Sequence, residues 1–299
     1  MLKSIVITGI SGFVGMNLHD YLKDIYDLNG LSVRYRPHQK FHIEANAIIH
    51  LAGKAHDLKN VSSPSDYYEA NFELTKQLYD AFLKSNATVF IFMSTVKSVA
   101  DNVEGVLTEE IIPNPKTHYG VAKHKAEEYI LSKKTPHKKR VYIVRPCMIH
   151  GVGNKGNLNL LYQLVSKSFP WPLGAFNNQR SYLSIENLCF VINELLKNEL
   201  IPSGIYQVAD DTPLSTNDLI SLIGDSLGKK SRIINVPKTI ISSIAQLGDY
   251  LNLPLNSERL QKLTESYIVD NEKIVKAMGR GLPISTKDGL MKTFMSFRK

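Results

Sequence analysis

Lys3-Ser4-Ile5-Val6-Ile7-Thr8-Gly9-Ile10-Ser11-Gly12-Phe13-Val14-Gly15 decides the fold. Its first half is a short apolar run rich in β-branched residues, the composition of a buried strand. Glycine then recurs at every third position. MNLHDYLKDIY follows, with apolar residues at helical spacing. Glycine lets the chain turn tightly, lets a pyrophosphate approach the backbone and lets helix and strand pack closely. The helix start adds free N–H groups and a positive dipole end. Three spaced glycines alone are a weak motif, and a plain strand–turn–helix would also use them. Both flanks match the context that a dinucleotide site requires. Gly9, Gly12, Phe13, Val14 and Gly15 are therefore cofactor-binding candidates.

Outward from this turn, strands alternate with helices. Helix one is expected over Phe13–Tyr26 and a second strand over Gly30–Tyr35. In a dinucleotide fold the end of that strand faces the adenosine ribose, about 20 residues past the glycines. An acid there would accept the 2′-hydroxyl and repel a 2′-phosphate. Between Gly30 and Phe41 the chain has no Asp or Glu, and it carries Arg34, Arg36 and Lys40. This favours NADP(H) over NAD(H), with Arg34 as the candidate contact; the alternative is a set of solvated charges. Ala47–Gly53 reads as the third strand. Only eleven residues separate it from the second, too few for the usual helical crossover. Either that unit is trimmed or strand two is shifted. A helix over Asp66–Lys84, a fully apolar strand over Thr88–Met93, a helix over Tyr119–Lys133 and a strand over Val141–Val144 follow. Uninterrupted apolar strands are buried on both faces, as in a parallel sheet.

The expected fold is α/β, a Rossmann-type doubly wound parallel sheet with a smaller mixed C-terminal substrate region. Residues 1–155 would form the NAD(P)-binding domain, joined by some later segments. Residues 156–299 would mainly bind substrate. After Gly151, helices are expected at Leu158–Lys167, Glu186–Lys197, Ser215–Leu227, Thr239–Leu251, Glu258–Thr264, Glu272–Met278 and Lys287–Phe297. Short strands are expected at Ser181–Ile185, Ile205–Val208 and Arg232–Val236.

Composition bounds the function. Of 299 residues, 43% are hydrophobic and 21% charged, near globular averages. No apolar run reaches the roughly 18–20 residues of a membrane span, and the N-terminal run is too short for a signal peptide. A cytoplasmic protein is the expectation. Cys147 and Cys189 lack metal-ligand spacing and read as buried free thiols. The net charge of +8 invites a nucleic-acid partner. Yet the densest cluster, Lys133–Arg140, falls between a helix and a strand, and no groove-reading module accompanies it. No nucleic acid is expected.

Tyr119 and Lys123 lie four apart and share a helix face. A free phenol has a pKa near 10; an ammonium one turn away stabilises the phenolate. Alone, Tyr-x-x-x-Lys is mostly structural. Here its helix follows the strand ending in Ser94-Thr95, so the sheet's carboxyl edge gathers the glycine turn, Thr95 and Tyr119.

With these motifs in order, the chain resembles the extended short-chain dehydrogenase/reductases, in the branch of nucleotide-sugar epimerases, dehydratases and reductases. The resemblance rests on TGISGFVG at 8–15, HLAG at 50–53, Asn71 in EANFELTK, MST at 93–95, YGVAK at 119–123 and RP at 145–146. GVGNKGNLNLL at 151–161 and RSYLSIENL at 180–188 extend it over nearly the whole chain. The second half is most similar to bacterial UDP-sugar 4-ketoreductases and 4-epimerase-like proteins of surface-polysaccharide synthesis.

The resemblance implies that Tyr119 is the proton donor or acceptor at the sugar. Lys123 would lower its pKa and bind the nicotinamide ribose, and Thr95 would hydrogen-bond the reacting oxygen. Leu51, Ala52, Gly53 and Asn71 would join the cofactor site, with Asn71 as a helix-kink residue positioning Lys123. Asn157, Arg180 and, more weakly, Arg259 would hold the substrate's diphosphate. His50, His56 and His150 are assigned packing roles. The family's dehydratases carry an Asp-Glu pair after the threonine; here Val96-Lys97 follows Thr95, which points away from 4,6-dehydration. The usual Val-Tyr-Gly after the threonine is Ser98-Val99-Ala100. A 4-ketoreductase using NADPH on a UDP-4-keto-6-deoxy sugar is the favoured reading, a 4-epimerase the runner-up. A non-catalytic dinucleotide sensor is the reading from another class. The resemblance also implies a homodimer through Asp66–Lys84 and Tyr119–Lys133.

Overall fold

Six parallel strands make the central sheet, in the order β2-β1-β3-β4-β6-β9. The computed structural model describes residues 3–55, 63–154, 156–251 and 256–298. The first half runs β1 (Ser4–Thr8), α1 (Phe13–Leu22), β2 (Asp27–Leu31) and β3 (Ala47–His50). A continuous helical stretch follows: α2 (Pro64–Tyr68), a π-helical turn (Glu69–Glu73) and α3 (Leu74–Lys84). Then come β4 (Val89–Met93), the short β5 (Val106–Leu107), α4 (His118–Ser132) and β6 (Arg140–Pro146). The second half comprises β7 (Met148–His150), α5 (Asn157–Ser166), β8 (Tyr182–Ser184), α6 (Ile185–Lys197) and β9 (Gly204–Val208). It closes with α7 (Thr216–Ser226), α8 (Lys238–Leu251), α9 (Ser257–Thr264), β10 (Ile268–Val269), α10 (Glu272–Met278) and α11 (Thr286–Ser296).

The apolar strands are uninterrupted because both faces are covered. Ile5, Ile7, Ile49, Ile91 and Val144 pack with Leu18 and Leu22 of α1 and with Leu188, Ile192 and Leu195 of α6. Ile48, Phe90, Phe92 and Ile143 pack with Tyr79 and Phe82 of α3 and with Ala126 and Ile130 of α4. Neighbours such as Ile48 and Ile49 thus serve opposite layers, as strand alternation requires. A separate core of Leu158, Tyr162, Leu219, Ile223, Ile241, Leu290 and Phe294 joins α5, α7, α8 and α11. The later segments α6 and β9 return to the first-half sheet.

Three expectations need correction. The second strand is Asp27–Leu31, not Gly30–Tyr35. Parallel pairing with β1 fixes it, Ser4 opposite Asp27 through Thr8 opposite Leu31. That register starts four residues after α1 ends and outweighs the β propensity of Val33 and Tyr35. Both sequence alternatives then hold: strand two is shifted, and residues 32–46 cross to β3 with no helix or further strand. The expected Arg232–Val236 strand is reduced to isolated bridges, Trp171 with Ile233 and Leu173 with Asn235. Helix one stops at Leu22 rather than Tyr26.

The basic run at residues 133–140 has structural duties. Lys139 Nζ donates to the carbonyls of Phe82, Ser85 and Ala87 at 2.9, 2.8 and 2.5 Å. Arg140 donates to Leu195, Leu196 and Asn198 carbonyls at 3.1 Å. Both cations satisfy backbone acceptors at helix C-termini, where the dipole is negative. Cys147 and Cys189 are buried free thiols as expected. Among the described residues no helix is long and apolar enough to cross a membrane.

Candidate active site

The glycine turn is built on close approach. Gly9 has φ of +70°, and a Cβ there would lie 2.8 Å from the Ala52 nitrogen. At Gly15 a Cβ would come 2.3 Å from the Gly9 carbonyl oxygen. No side chain fits either place, so the backbone is left bare at the head of α1, as a pyrophosphate needs. Gly12 closes the turn by donating to the Gly9 carbonyl at 3.0 Å. Phe13 and Val14 open α1. The bare backbone around Gly9, Ala52 and Gly53 fits a dinucleotide. His50 takes the packing role expected of it. Its ring bonds Thr8 Oγ1 at 2.8 Å and Thr75 Oγ1 at 3.0 Å, tying β1 and β3 to α3. Burial pushes its pKa down to about 3, with Lys123 adding to the effect. His150 is likewise buried, bonded to Thr293 at 2.9 Å. His56 lies outside the described residues.

Helix α4 starts where it does because Thr117 caps it, accepting from the Gly120 N–H at 3.2 Å. Asp101 holds the approach, accepting from Lys116 N at 2.7 Å and from Thr117 Oγ1 at 3.2 Å. Tyr119 therefore falls in the first turn and Lys123 one turn later. Thr95 ends β4's exit and caps the short turn Val96–Ser98, accepting from Lys97 N at 3.2 Å. Tyr119 is half-buried. Burial raises its phenol to about 12, and contact with the Thr95 hydroxyl pulls the other way. Lys123 is 3% exposed. Burial lowers its ammonium to about 7, opposed by Glu127. Its Nζ donates to the Met93 carbonyl at 2.7 Å. The expected depression of the phenol by Lys123 is thus not what the protein alone displays.

Asn71 sits in the π-helical turn. Its Nδ2 donates to the carbonyls of Lys54 and Tyr67, both at 3.0 Å, and its Oδ1 accepts from Lys54 N at 3.0 Å. A Cβ on Gly53 would meet Asn71 Oδ1 at 2.6 Å and Lys123 Nζ at 3.1 Å. Gly53, Asn71 and Lys123 therefore converge, and Leu51 and Ala52 lead into them from β3.

The expected substrate residues are less tightly placed. Arg180 is half-buried and donates from Nη1 to the Lys262 carbonyl on α9 at 2.7 Å. That helix also carries Arg259, which is exposed. The side chain of Asn157 lies outside the described residues; its backbone begins α5. Arg34 and Arg36 are exposed beyond the end of β2.

The sequence reading takes Lys97 only as a departure from the dehydratase pattern, and it misses Glu127. Lys97 packs its Nζ 4.1 Å from the centre of the Tyr267 ring and donates to the Asp101 carbonyl at 2.5 Å. Burial lowers its pKa, Asp101 and Glu265 oppose that, and Arg180 adds to the lowering. A cation thus stands close to Arg180 where the family's dehydratases carry acid. Glu127 lies one turn beyond Lys123 and is 1% exposed. Arg145 clasps it from Nε at 3.0 Å and Nη2 at 2.6 Å. Ser94 and Ser98 also donate to it, Ser98 at 2.8 Å. Extending the Tyr119–Lys123 spacing by one more turn would have found it.

A doubly wound sheet with this glycine turn, and with threonine, tyrosine and lysine at its carboxyl edge, defines an extended short-chain dehydrogenase/reductase. The chain belongs to the NAD dependent epimerase/dehydratase family, whose model matches residues 5–209. It is 27% identical to a UDP-glucose 4-epimerase of Vibrio cholerae, over 99% of this chain and 96% of that one. It is also 27% identical to the N-acetyl-alpha-D-glucosaminyl-diphospho-ditrans,octacis-undecaprenol 4-epimerase of Escherichia coli O157:H7, over 92% and 86%. Identity to the GDP-6-deoxy-D-mannose reductase of Pseudomonas aeruginosa is 24%, over 79% and 84%. Among solved structures, RMD from Pseudomonas aeruginosa complexed with NADPH superposes with a TM-score of 0.72 at 21% identity, covering 99% and 98%. The UDP-N-acetylglucosamine 4-epimerase from Bacillus cereus gives 0.74 at 18% identity, covering 99% and 100%.

Proposed function

We propose that the chain is an NADPH-dependent reductase acting at C4 of a UDP-linked 4-keto-6-deoxy sugar. One observation carries this reading: a Thr95–Tyr119–Lys123 set at the sheet edge, with Lys97 where a dehydrating acid would stand. The run Arg34, Arg36 and Lys40, free of acids, supports the 2′-phosphate. Gly9, Gly12, Phe13, Val14 and Gly15 would hold the pyrophosphate, Leu51–Gly53 and Asn71 the middle of the cofactor, and Lys123 the nicotinamide ribose. Bound NADPH would supply the hydride. Tyr119, neutral throughout the physiological range, delivers its proton to the developing alkoxide. Thr95 donates a hydrogen bond to the same oxygen and orients it. Arg180 and Arg259 carry guanidinium groups suited to a diphosphate, joined by Asn157. A homodimer is part of the proposal.

The test has two arms. The purified protein is denatured and the released nucleotide identified; UDP-4-keto-6-deoxy-N-acetylglucosamine is then offered with NADPH. Stoichiometric NADPH oxidation is expected. Tightly held NAD with interconversion of UDP-hexoses would overturn the reading in favour of a 4-epimerase. Two of the relatives are 4-epimerases, which makes that the second reading. Arg34→Asp is expected to abolish the preference for NADPH over NADH; an unchanged ratio of kcat/KM values would remove Arg34 from the site.

A further inference from the structure

Glu127 has a buried, fully bonded carboxylate near the active edge, and the proton-transfer set does not use it. Its bonds reach two separate pieces of chain besides its own helix. Arg145 comes from β6, while Ser94 and Ser98 bracket Thr95. The single Ser98 hydroxyl proton is shared between Glu127 and the Thr95 carbonyl, which lies 2.7 Å from Oγ. Glu127 itself stands on α4, in line with Tyr119 and Lys123. One carboxylate therefore spans the seam between the loop that presents Thr95 and the helix that presents the phenol and the ammonium.

Its charge state is held as firmly as its position. Burial pushes its pKa up, but the neighbouring His124 ring and the bonds from Arg145 and Ser94 outweigh that, and the carboxylate stays below its ordinary range. Lys123 shares the helix, one turn away, and Glu127 acts to raise its pKa. The other groups facing this pair are few. His124, on the same helix, places Nδ1 at 3.7 Å from Glu127 Oε2. From β3 comes His50, which burial keeps neutral above about pH 3. From β6 comes Arg145, and from the π-helical turn the uncharged Asn71.

We propose that Glu127 is a positioning residue of the active centre, fixing the Thr95 loop against the Tyr119–Lys123 helix and holding Lys123 in its ammonium form. It acts through Thr95 and Lys123 and touches neither cofactor nor substrate. The inference rests on the proposed proton-transfer set, and it applies equally to reduction and epimerisation.

The direct test needs no substrate. Protein labelled with ¹³Cε-lysine is titrated by NMR, with the Lys123 signal assigned by its absence from Lys123→Arg. Wild type is expected to titrate near pH 7, and Glu127→Gln at a clearly lower pH. Because Glu127→Gln strands Arg145, Glu127→Leu/Arg145→Met is measured beside it; replacing a buried pair by apolar side chains commonly preserves folding. The same downward shift is expected there. His124→Gln serves as background, so that the imidazole cannot supply the observed limb. In turnover, Glu127→Gln should lower kcat about tenfold or more with KM little changed, the sign of lost transition-state alignment. Its pH–rate profile should lose activity at lower pH than wild type. A Lys123 midpoint unchanged in both variants overturns the inference. Because the titration contains no sugar, that failure is separate from wild-type protein failing to oxidise NADPH with the keto sugar, which strikes the reductase reading alone.

Discussion

At Tyr119 and Lys123 the protein sets two ionisations against their ordinary values. The phenol lies near 12 and the ammonium near 7, both because burial disfavours the charged form. Tyr119→Phe removes the transferable proton and leaves the ring. It should cost about 10²–10⁴ in kcat while cofactor affinity, followed by fluorescence titration, stays unchanged. A sensor would keep its response unchanged. Lys123 also carries a stability consequence. Its folded pKa is below its unfolded value of 10.5, so between about pH 7 and 10.5 the unfolded chain binds more protons. Stability from this group therefore rises with pH across that window, and its cost is largest below pH 7. Lys123→Met should raise Tm at pH 6 and raise it by less at pH 9. A difference independent of pH, measured by calorimetry of the cofactor-free protein, would contradict this.

At the scale of elements, local devices do distinct jobs. Lys139 closes the C-terminal end of α3 with three carbonyl bonds, so Lys139→Ala should cost about 1–3 kcal/mol, read as a lower urea midpoint with unchanged m-value. The strand–turn–helix at residues 3–22 was legible because it needs glycine where a side chain would strike backbone. The buried strands were legible from their unbroken apolar runs. Strand two was not, because Asp27-Leu28-Asn29-Gly30-Leu31 has little strand character and pairing with β1 alone places it. The proposed proton-transfer set was readable because it lies on one helix face and one strand end. Glu127 and its clasp were harder to see, since Ser94, Ser98 and Arg145 join it only through the sheet. Asn71 was read as a kink residue; its helix departs from α geometry there by a π-helical turn, a form that favours functional sites. Tyr79 and Phe82, further along in α3, remain regular core.

Across the whole molecule, the central sheet carries the proposed nucleotide edge while a second, separate core gathers α5, α7, α8 and α11. Arg180 bonds to α9, so the proposed substrate contacts depend on how the later chain packs back. The proposed homodimer through the helical stretch 64–84 and α4 should appear in light scattering as twice the 33.6 kDa chain mass; a concentration-independent single-chain mass would reject it. The edge position of β2 has an effect of its own. With β2 last in the sheet, its outer row of backbone donors and acceptors is a template on which another chain's strand could add, the usual beginning of aggregation. Protection then falls to the strand's own sequence. Asp27, Asn29 and Gly30 are poor partners for an added strand, and Gly30 and Asn29 leave no apolar ridge to bury. The weak strand character that hid β2 in the sequence is also what keeps this open margin solitary.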